Sequence, residues 1–200
     1  MANAPRTRLV PEARRAQLVG LGLSMLDTRP LDRLTTDDVA AAAGISRTLV
    51  FHYFPTKRDF HVAVADAAAA ELLARTLPDP ALPSLDRLRA AVGAYVDYVA
   101  DRPDAYVAFI RGSSGGDPQL LAVYDRTRTA LTLRVLDGLG ETDPLPRLRV
   151  AVRGWVGFVE EVTVDWLSQR DLTRAEVVDL LDDALVALVT MTTGGWPSDA

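Results

Sequence analysis

Chemistry that depends on a thiolate or on paired imidazoles has little to work with in this chain. It has no cysteine, and its two histidines, His52 and His61, have no His or Glu four residues on. Neither the H-E-x-x-H arrangement nor a cysteine-based zinc set can therefore be assembled from sequence neighbours, and no metal or other cofactor is expected. A serine nucleophile fares no better, because Ser113 and Ser114 have no histidine near them in sequence. The run Gly112 to Gly116 resembles a phosphate-cradling loop only superficially. It lacks the Gly-Lys-Ser/Thr ending and a preceding strand, and an Asp-Pro helix start follows it. The side chains best placed to meet a partner lie between residues 31 and 60, LDRLTTDDVAAAAGISRTLVFHYFPTKRDF.

That stretch reads as a short capped helix over Thr36–Ala43, a corner at Gly44 to Ser46, and a second short helix from Arg47 to about His52. Val39, Ala42 and Ala43 form an apolar side, and Ile45, Val50 and Phe54 supply the facing contacts. Small alanines let two helices approach while a glycine makes the corner, which is a helix-turn-helix. The second helix presents Arg47, Thr48, Leu49, Phe51 and His52 outward, where such side chains can reach base edges in a major groove, with Tyr53 and Lys57 flanking at phosphate level. Two short helices around a glycine also occur as plain scaffolding in helical bundles, so a small helical enzyme or ligand carrier is the competing reading. Phe51, Tyr53 and Phe54 are too close together for one helix face to bury all three, which argues for an accessible aromatic beside Arg and His.

The remaining elements follow from start and stop signals. Thr35 with Asp38, Thr56 with Asp59 and Thr173 with Glu176 are capping boxes. Pro11, Pro103, Pro118 and Pro144 suit the first helical position, the last two behind the cap residues Asp117 and Asp143. Gly44, Gly112, Gly138 and Gly194 are stops. Between them the apolar spacing is helical: Leu85, Leu88, Val92, Tyr95, Val99; then Leu145, Leu148, Val152, Trp155, Val159, Val162, Trp166; then Val178, Leu181, Leu185, Leu188. About nine helices result, no strand and no internal repeat, so the fold class is all-α.

Composition fits one or two ordinary globular domains: 48% of the 200 residues are hydrophobic, and Gly plus Pro amount to 25. No apolar run reaches the about 18 residues of a membrane span, and the start MANAPRTRLVPEARR lacks the apolar stretch of a signal peptide, which gives a cytoplasmic reading without a membrane partner. The net charge of −5 divides unevenly, with +3 over residues 1–60 and −8 over the rest. A basic first third can meet phosphates while the acidic remainder faces away.

From Leu34 to Phe60 the sequence resembles the DNA-binding domain of the tetracycline-repressor (TetR) family of bacterial transcriptional regulators. The residues that carry the resemblance are Thr35, Val39, Ala40, Ala43, Gly44, Ile45 and Ser46, then Phe51, Tyr53, Phe54, Thr56, Lys57 and Phe60, without a gap. It implies an N-terminal three-helix DNA-binding domain over residues 1–56 and a ligand-binding and dimerisation domain over 57–200, linked by the helix 57–77. It further implies a ligand-responsive regulator and not an enzyme, most simply a repressor that binds a near-palindromic double-stranded operator as a homodimer and is released by an unidentified small-molecule effector. The DNA-binding set is then Thr35, Thr36, Arg47, Thr48, Leu49, Phe51, His52, Tyr53 and Lys57. Phe51 stands where the family commonly has Tyr, so a phosphate-directed hydroxyl is missing there. Thr48 and Leu49 are bulkier than usual, which leads us to expect thymine methyls opposite them. Lys57, the only lysine, sits at a helix start where an anion is already favoured.

In the C-terminal two-thirds, Tyr95, Tyr98, Tyr106, Phe109, Tyr124, Trp155 and Phe158 with Arg128 are expected to line an apolar effector cavity, although Tyr95 and Trp155 by spacing also suit plain core. Arg111 and Glu161 are further candidates for its polar groups. Gly154 and Gly157 cost about 1 kcal/mol each inside a helix, which implies that another helix approaches closely there. By the resemblance, Val152, Val159, Leu181, Leu185 and Leu188 are expected at the dimer interface.

Overall fold

The computed structural model describes residues 10–113 and 116–196. Ser114 and the middle of the run Gly112 to Gly116 lie outside the described residues, as does most of the start MANAPRTRLVPEARR. Within them there are nine α-helices and no strand: α1 (Pro11–Met25), α2 (Thr36–Ala43), α3 (Arg47–Tyr53), α4 (Lys57–Arg75), α5 (Ser84–Asp101), α6 (Pro103–Ser113), α7 (Pro118–Gly138), α8 (Pro146–Gln169) and α9 (Arg174–Thr193). All three threonine capping boxes form. Thr35, Thr56 and Thr173 each accept the N–H of the residue three positions on, and that residue's carboxylate accepts the threonine N–H in return.

Three boundaries differ from the sequence expectation, the first being Gly112, which stays inside α6 and does not take the left-handed conformation of a stop. Asp143 and Pro144 do not open α8, which starts at Pro146 behind an extended Leu145. A residue before proline is driven out of the helical region, so Pro146 forbids a helix that begins at Pro144. Gly138 stays helical, and the left-handed turn falls instead at Gly140, φ 76°. There it lets the Glu141 N–H reach back 3.0 Å to the Leu136 carbonyl. A single 3-10 turn, Leu31–Arg33, joins the α1 side of the molecule to α2.

Two buried clusters organise the helices. The first gathers Leu18, Leu34, Val39, Val50, Phe54, Phe60 and Val64 from α1 to α4 and takes in Ala105 and Val123 from α6 and α7. The second joins the far part of α4 (Leu72) to α5, α7, α8 and α9. The clusters thus meet along α4, whose Phe60, Val64 and Ala65 belong to one and whose Leu72 belongs to the other. Close approach of α1 to α4 requires Gly22, where a Cβ would stand 2.6 Å from atoms of both Phe60 and Val64.

In the second cluster the indole N–H of Trp155 donates to the Leu181 carbonyl and that of Trp166 to the Leu172 carbonyl, each at 2.8 Å. These donors satisfy the only polar atom of each ring, so the rings act as core material at no desolvation cost. One group in this packing is poorly served. The Asp182 Oδ1 on α9 is buried without a hydrogen-bond partner, and its other oxygen is 3.4 Å from Arg89 of α5. Burial pushes the Asp182 carboxyl up to about 6, against the pull of Arg89 and helped by Asp179 and Asp183.

The sign of the linkage follows from that rise. Above pH 6 the carboxylate is charged in both folded and unfolded chain and burdens the fold, whereas below about pH 4 it is protonated in both and the burden is gone. Asp182→Asn is therefore expected to stabilise the protein by about 1–2 kcal/mol at pH 8, discounted because water still reaches the site. The gain should fade as the pH falls from 6 to 4. Thermal melts of both proteins across that range check it, and a gain that grows toward acid pH would contradict it.

Candidate nucleic-acid interface and effector cavity

The α2–α3 pair is held by local chemistry. Gly44 adopts the left-handed conformation (φ 63°) that a side chain would strain, so that the Ile45 N–H reaches back to the Ala40 carbonyl at 3.0 Å. Ser46 then caps α3 by accepting the Leu49 N–H. Val39, Ala40, Val50 and Phe54 are the buried contacts. Ala40 fills the inner position that the sequence reading gave to Ala42, because Ala42 lies on the exposed face of this short helix.

With Val50 and Phe54 turned inward, α3 leaves Arg47, Thr48, Leu49 and His52 exposed and Phe51 and Tyr53 half-buried. The Arg47 guanidinium lies 5.3 Å from the centroid of the Phe51 ring and 3.2 Å from an Asp37 oxygen. Both partners of that pair are about three-fifths exposed, so it steers the arginine without committing it. The His52 and Tyr53 rings pack edge-on at 5.2 Å. Lys57 donates from Nζ to the Asp32 carbonyl at 3.0 Å, which ties the start of α4 to the 3-10 turn and holds the ammonium at the rim of the same face. Thr35 is exposed, its hydroxyl engaged by Asp38. The Thr35 hydroxyl and N–H hold the Asp38 carboxyl below the ordinary carboxylate range, with Arg29 adding to the effect. Thr36 does not belong to this surface, since it is 4% exposed. It occupies the first position of α2, whose inward side is set by Val39 and Ala40. His61 is half-buried behind this face. Its Nε2–H donates to the Leu34 carbonyl at 3.0 Å, and burial lowers its pKa.

Six of the eight residues expected around an effector, Tyr95, Tyr98, Tyr106, Phe109, Tyr124 and Arg128, line one cavity of about 90 Å³. Its remaining wall includes Leu26 and Leu31 from the α1–α2 connection, Ala65, Ala68, Ala69 and Leu72 from α4, Arg102 and Glu160. Trp155 lies elsewhere, on a second cavity of about 90 Å³. Phe158 lines neither and is 39% exposed on α8.

The acidic group lining the first cavity is Glu160 and not its neighbour Glu161, and Arg111 lines neither cavity. Glu161 is exposed and paired in bidentate fashion with Arg111 at 2.9 and 3.1 Å. Glu160 shares the inward face of α8 with Val156 and Thr163, and a charge on a buried stripe was the sequence signal for it. It accepts the Tyr124 hydroxyl proton at 2.8 Å and lies 3.3 Å from Arg128 Nε, which is buried without a well-formed hydrogen bond. Burial raises the Glu160 pKa and, together with Glu160, pushes the Tyr124 hydroxyl up to about 12. Gly157 makes room for this arrangement. A Cβ there would stand 2.6 Å from Arg128 Nη2, while one at Gly154 would meet nothing. The close approach inferred from these glycines is thus an arginine side chain at one of them and open surface at the other.

A chain of hydroxyls crosses the cavity wall with a fixed polarity. Thr163 spends its proton on the Val159 carbonyl at 2.7 Å and so accepts from Tyr106 at 3.1 Å. Tyr106 in turn accepts from Tyr95 at 2.6 Å. The remaining lone pairs of the Tyr95 oxygen are thereby acceptors only.

The residues expected at a dimer interface are placed differently. Val152, Leu181 and Leu185 are 0% exposed and Val159 is 5% exposed, all within the core of the single chain, and only Leu188 reaches partway to the surface. Their heptad spacing marks the α8–α9 seam inside one chain. The apolar side chains left exposed on these two helices are Val150, Phe158, Leu180 and Met191.

Among the described residues no group of three or more His, Asp or Glu side chains is placed to hold a metal ion, and no helix is long and apolar enough to cross a membrane.

Comparison with known proteins bears on both regions. Residues 21–64 match the family model described as bacterial regulatory proteins, tetR family, and residues 85–188 match the one described as tetracyclin repressor-like, C-terminal domain. The crystal structure of a tetR-family transcriptional regulator from Streptomyces coelicolor is similar over 93% of this chain and 84% of its own, with TM-score 0.85 and 33% identity. The HTH-type transcriptional activator FasR of Mycolicibacterium smegmatis is 25% identical over 174 residues, 83% of this chain and 78% of that protein. The HTH-type transcriptional regulator LuxR of Vibrio harveyi is 41% identical over 59 residues, 30% of this chain and 29% of that protein.

Proposed function

The chain belongs to the tetR family of bacterial transcriptional regulators, which bind DNA, and we propose that it acts as a homodimeric repressor released from its operator by a small molecule. In this reading residues 1–56 read the operator, residues 57–200 bind the effector and pair the subunits, and α4 links the two functions. α3 enters the major groove with Arg47, Thr48, Leu49 and His52 toward base edges. Lys57, Tyr53 and Thr35 sit at the level of the backbone phosphates. Two-fold pairing through the exposed apolar residues of α8 and α9 sets two such helices about 34–36 Å apart, one turn of DNA.

The observation that carries the release mechanism is the shared wall of the first cavity. Leu26 and Leu31, from the segment that positions α2, line the same space as Tyr124, Arg128 and Glu160 from α7 and α8. A ligand that fills this space must push on both parts at once. If it fits better when the α1–α2 connection has moved, it weakens DNA binding by the factor by which DNA weakens its own binding.

Selection of bound sequences from random duplexes tests this reading. A near-palindrome with two half-sites one turn apart, and thymine at a contacted position opposite Thr48 or Leu49, is the expected product. A selection that yields no enriched sequence, or single half-sites only, would overturn it. On the recovered operator driving a reporter, the protein should lower transcription, and a compound that protects the cavity should restore it.

A further inference from the structure

The second cavity lies at the other end of the C-terminal domain, where α5, α7, α8 and α9 come together. Its interior is apolar, built from Leu88, Val92, Leu131, Val156 and Leu185 with the rings of Trp155 and Trp196. Tyr95 and Leu131 line both cavities, so they are the partition between them. The cavity opens to solvent beside Gly138, which is exposed, and Ser84, Arg87 and Trp196 are among its half-buried lining residues. Trp196 closes part of it from the chain end, its indole N–H donating to Ser84 Oγ at 3.0 Å just beyond the left-handed Gly194.

The charge at this mouth is one-sided. Arg87 and Arg134 both line the cavity, and no ion pair is formed by either among the described residues, where most of the other arginines pair with a carboxylate. Arg134 donates only to neutral oxygens, the Leu73 carbonyl at 2.7 Å and Thr76 Oγ1 at 2.9 Å. Burial lowers its pKa with no carboxylate to counter the loss. α5 starts at the same mouth without a side-chain cap hydrogen bond, and Asp86 in its first turn, which does not line the cavity, offsets the positive end of the helix, so the two arginines carry the charge here. The first cavity differs, because there Glu160 stands against Arg128 and Arg102 is paired with Asp27 and Glu71. An apolar pocket whose described lining residues include two arginines and no carboxylate is complementary to a chain with a negative head.

We propose that this cavity is a second ligand site, separate from the one beneath the DNA-reading helices, and that it takes an aliphatic carboxylate with its chain between Trp155 and Leu185 and its head at Arg87 and Arg134. Because Tyr95 is the common wall, a chain lodged here bears on the hydroxyl chain that runs from Tyr95 through Tyr106 to Thr163. The site does not depend on operator recognition. If duplex selection fails while carboxylate binding holds, the regulator reading alone is lost, and the converse result removes only this site.

Two of the three tryptophans of the chain, Trp155 and Trp196, line the cavity, so intrinsic fluorescence reads its occupancy directly. Decanoate, titrated below its micelle concentration into the full-length protein, should give a saturable change. 1-Decanol should bind about tenfold more weakly, because it lacks the charge that a guanidinium holds. Arg87→Gln should weaken decanoate about tenfold and leave decanol unchanged, with the thermal melt unaltered. Ala91→Phe, which fills this cavity, should abolish the signal, whereas Ala69→Phe, which fills the other, should not. A non-saturable response, equal binding of acid and alcohol, or indifference to Arg87→Gln would overturn the proposal. So would loss of binding with Ala69→Phe but not with Ala91→Phe in folded proteins.

Discussion

Carboxylates placed at Phe158 and Leu180 together are expected to turn a dimer into folded monomers. In the single chain Phe158 is 39% and Leu180 43% exposed, so Phe158→Asp with Leu180→Asp removes partly covered side chains and costs the fold about 2 kcal/mol, well short of unfolding it. In a two-fold assembly each substitution occurs twice, and an unpaired carboxylate buried against apolar surface costs several kcal/mol. Dissociation by at least about a hundredfold should follow, measured by sedimentation at micromolar concentration with helicity unchanged. Operator affinity should drop with it, because each monomer then holds a half-site without the gain of linked binding. By contrast Val152→Asp or Leu181→Asp should unfold the subunit itself, since both are 0% exposed in its core. A double variant that stays dimeric would remove α8 and α9 as the pairing surface.

The second large effect concerns α3. Arg47→Ala combined with Lys57→Ala should lower operator affinity by about a hundredfold, a figure in keeping with 1–3 kcal/mol for a base contact plus one lost phosphate contact. The slope of log affinity against log salt should flatten by about one unit for each phosphate contact removed. The fold should not notice. The Arg47–Asp37 pair is exposed at both ends and worth at most about 1 kcal/mol, and Lys57 gives up one bond to the Asp32 carbonyl. Footprinting titrations at several salt concentrations check the affinity and a thermal melt checks the fold. Unchanged affinity would mean that α3 does not enter the groove.

Much of this was legible in the residues themselves. Capping boxes, prolines and left-handed glycines act through bonds within three or four residues, so Thr35, Thr56, Thr173, Gly44 and Gly194 could be assigned without knowing what lay across from them. The α2–α3 surface was readable for the same reason, because seven residues of helix around one buried Val50 leave few choices for what faces outward. Thr36 and Ala42 were the exceptions, since the side each turns to is set by how α2 leans on its neighbours.

What spacing could not supply was the identity of the partner across each apolar stripe. Val152, Val159, Leu181 and Leu185 repeat as an interface between subunits would, yet they pack within one chain. A heptad records that a face is covered and not by which helix. Only the tertiary arrangement decided that Glu160 and not Glu161 meets Arg128, that Phe158 faces outward, and that Tyr95 stands between two cavities. Each of these depends on the rotation of a long helix about its axis, and that rotation is fixed by the summed packing of residues far apart in sequence.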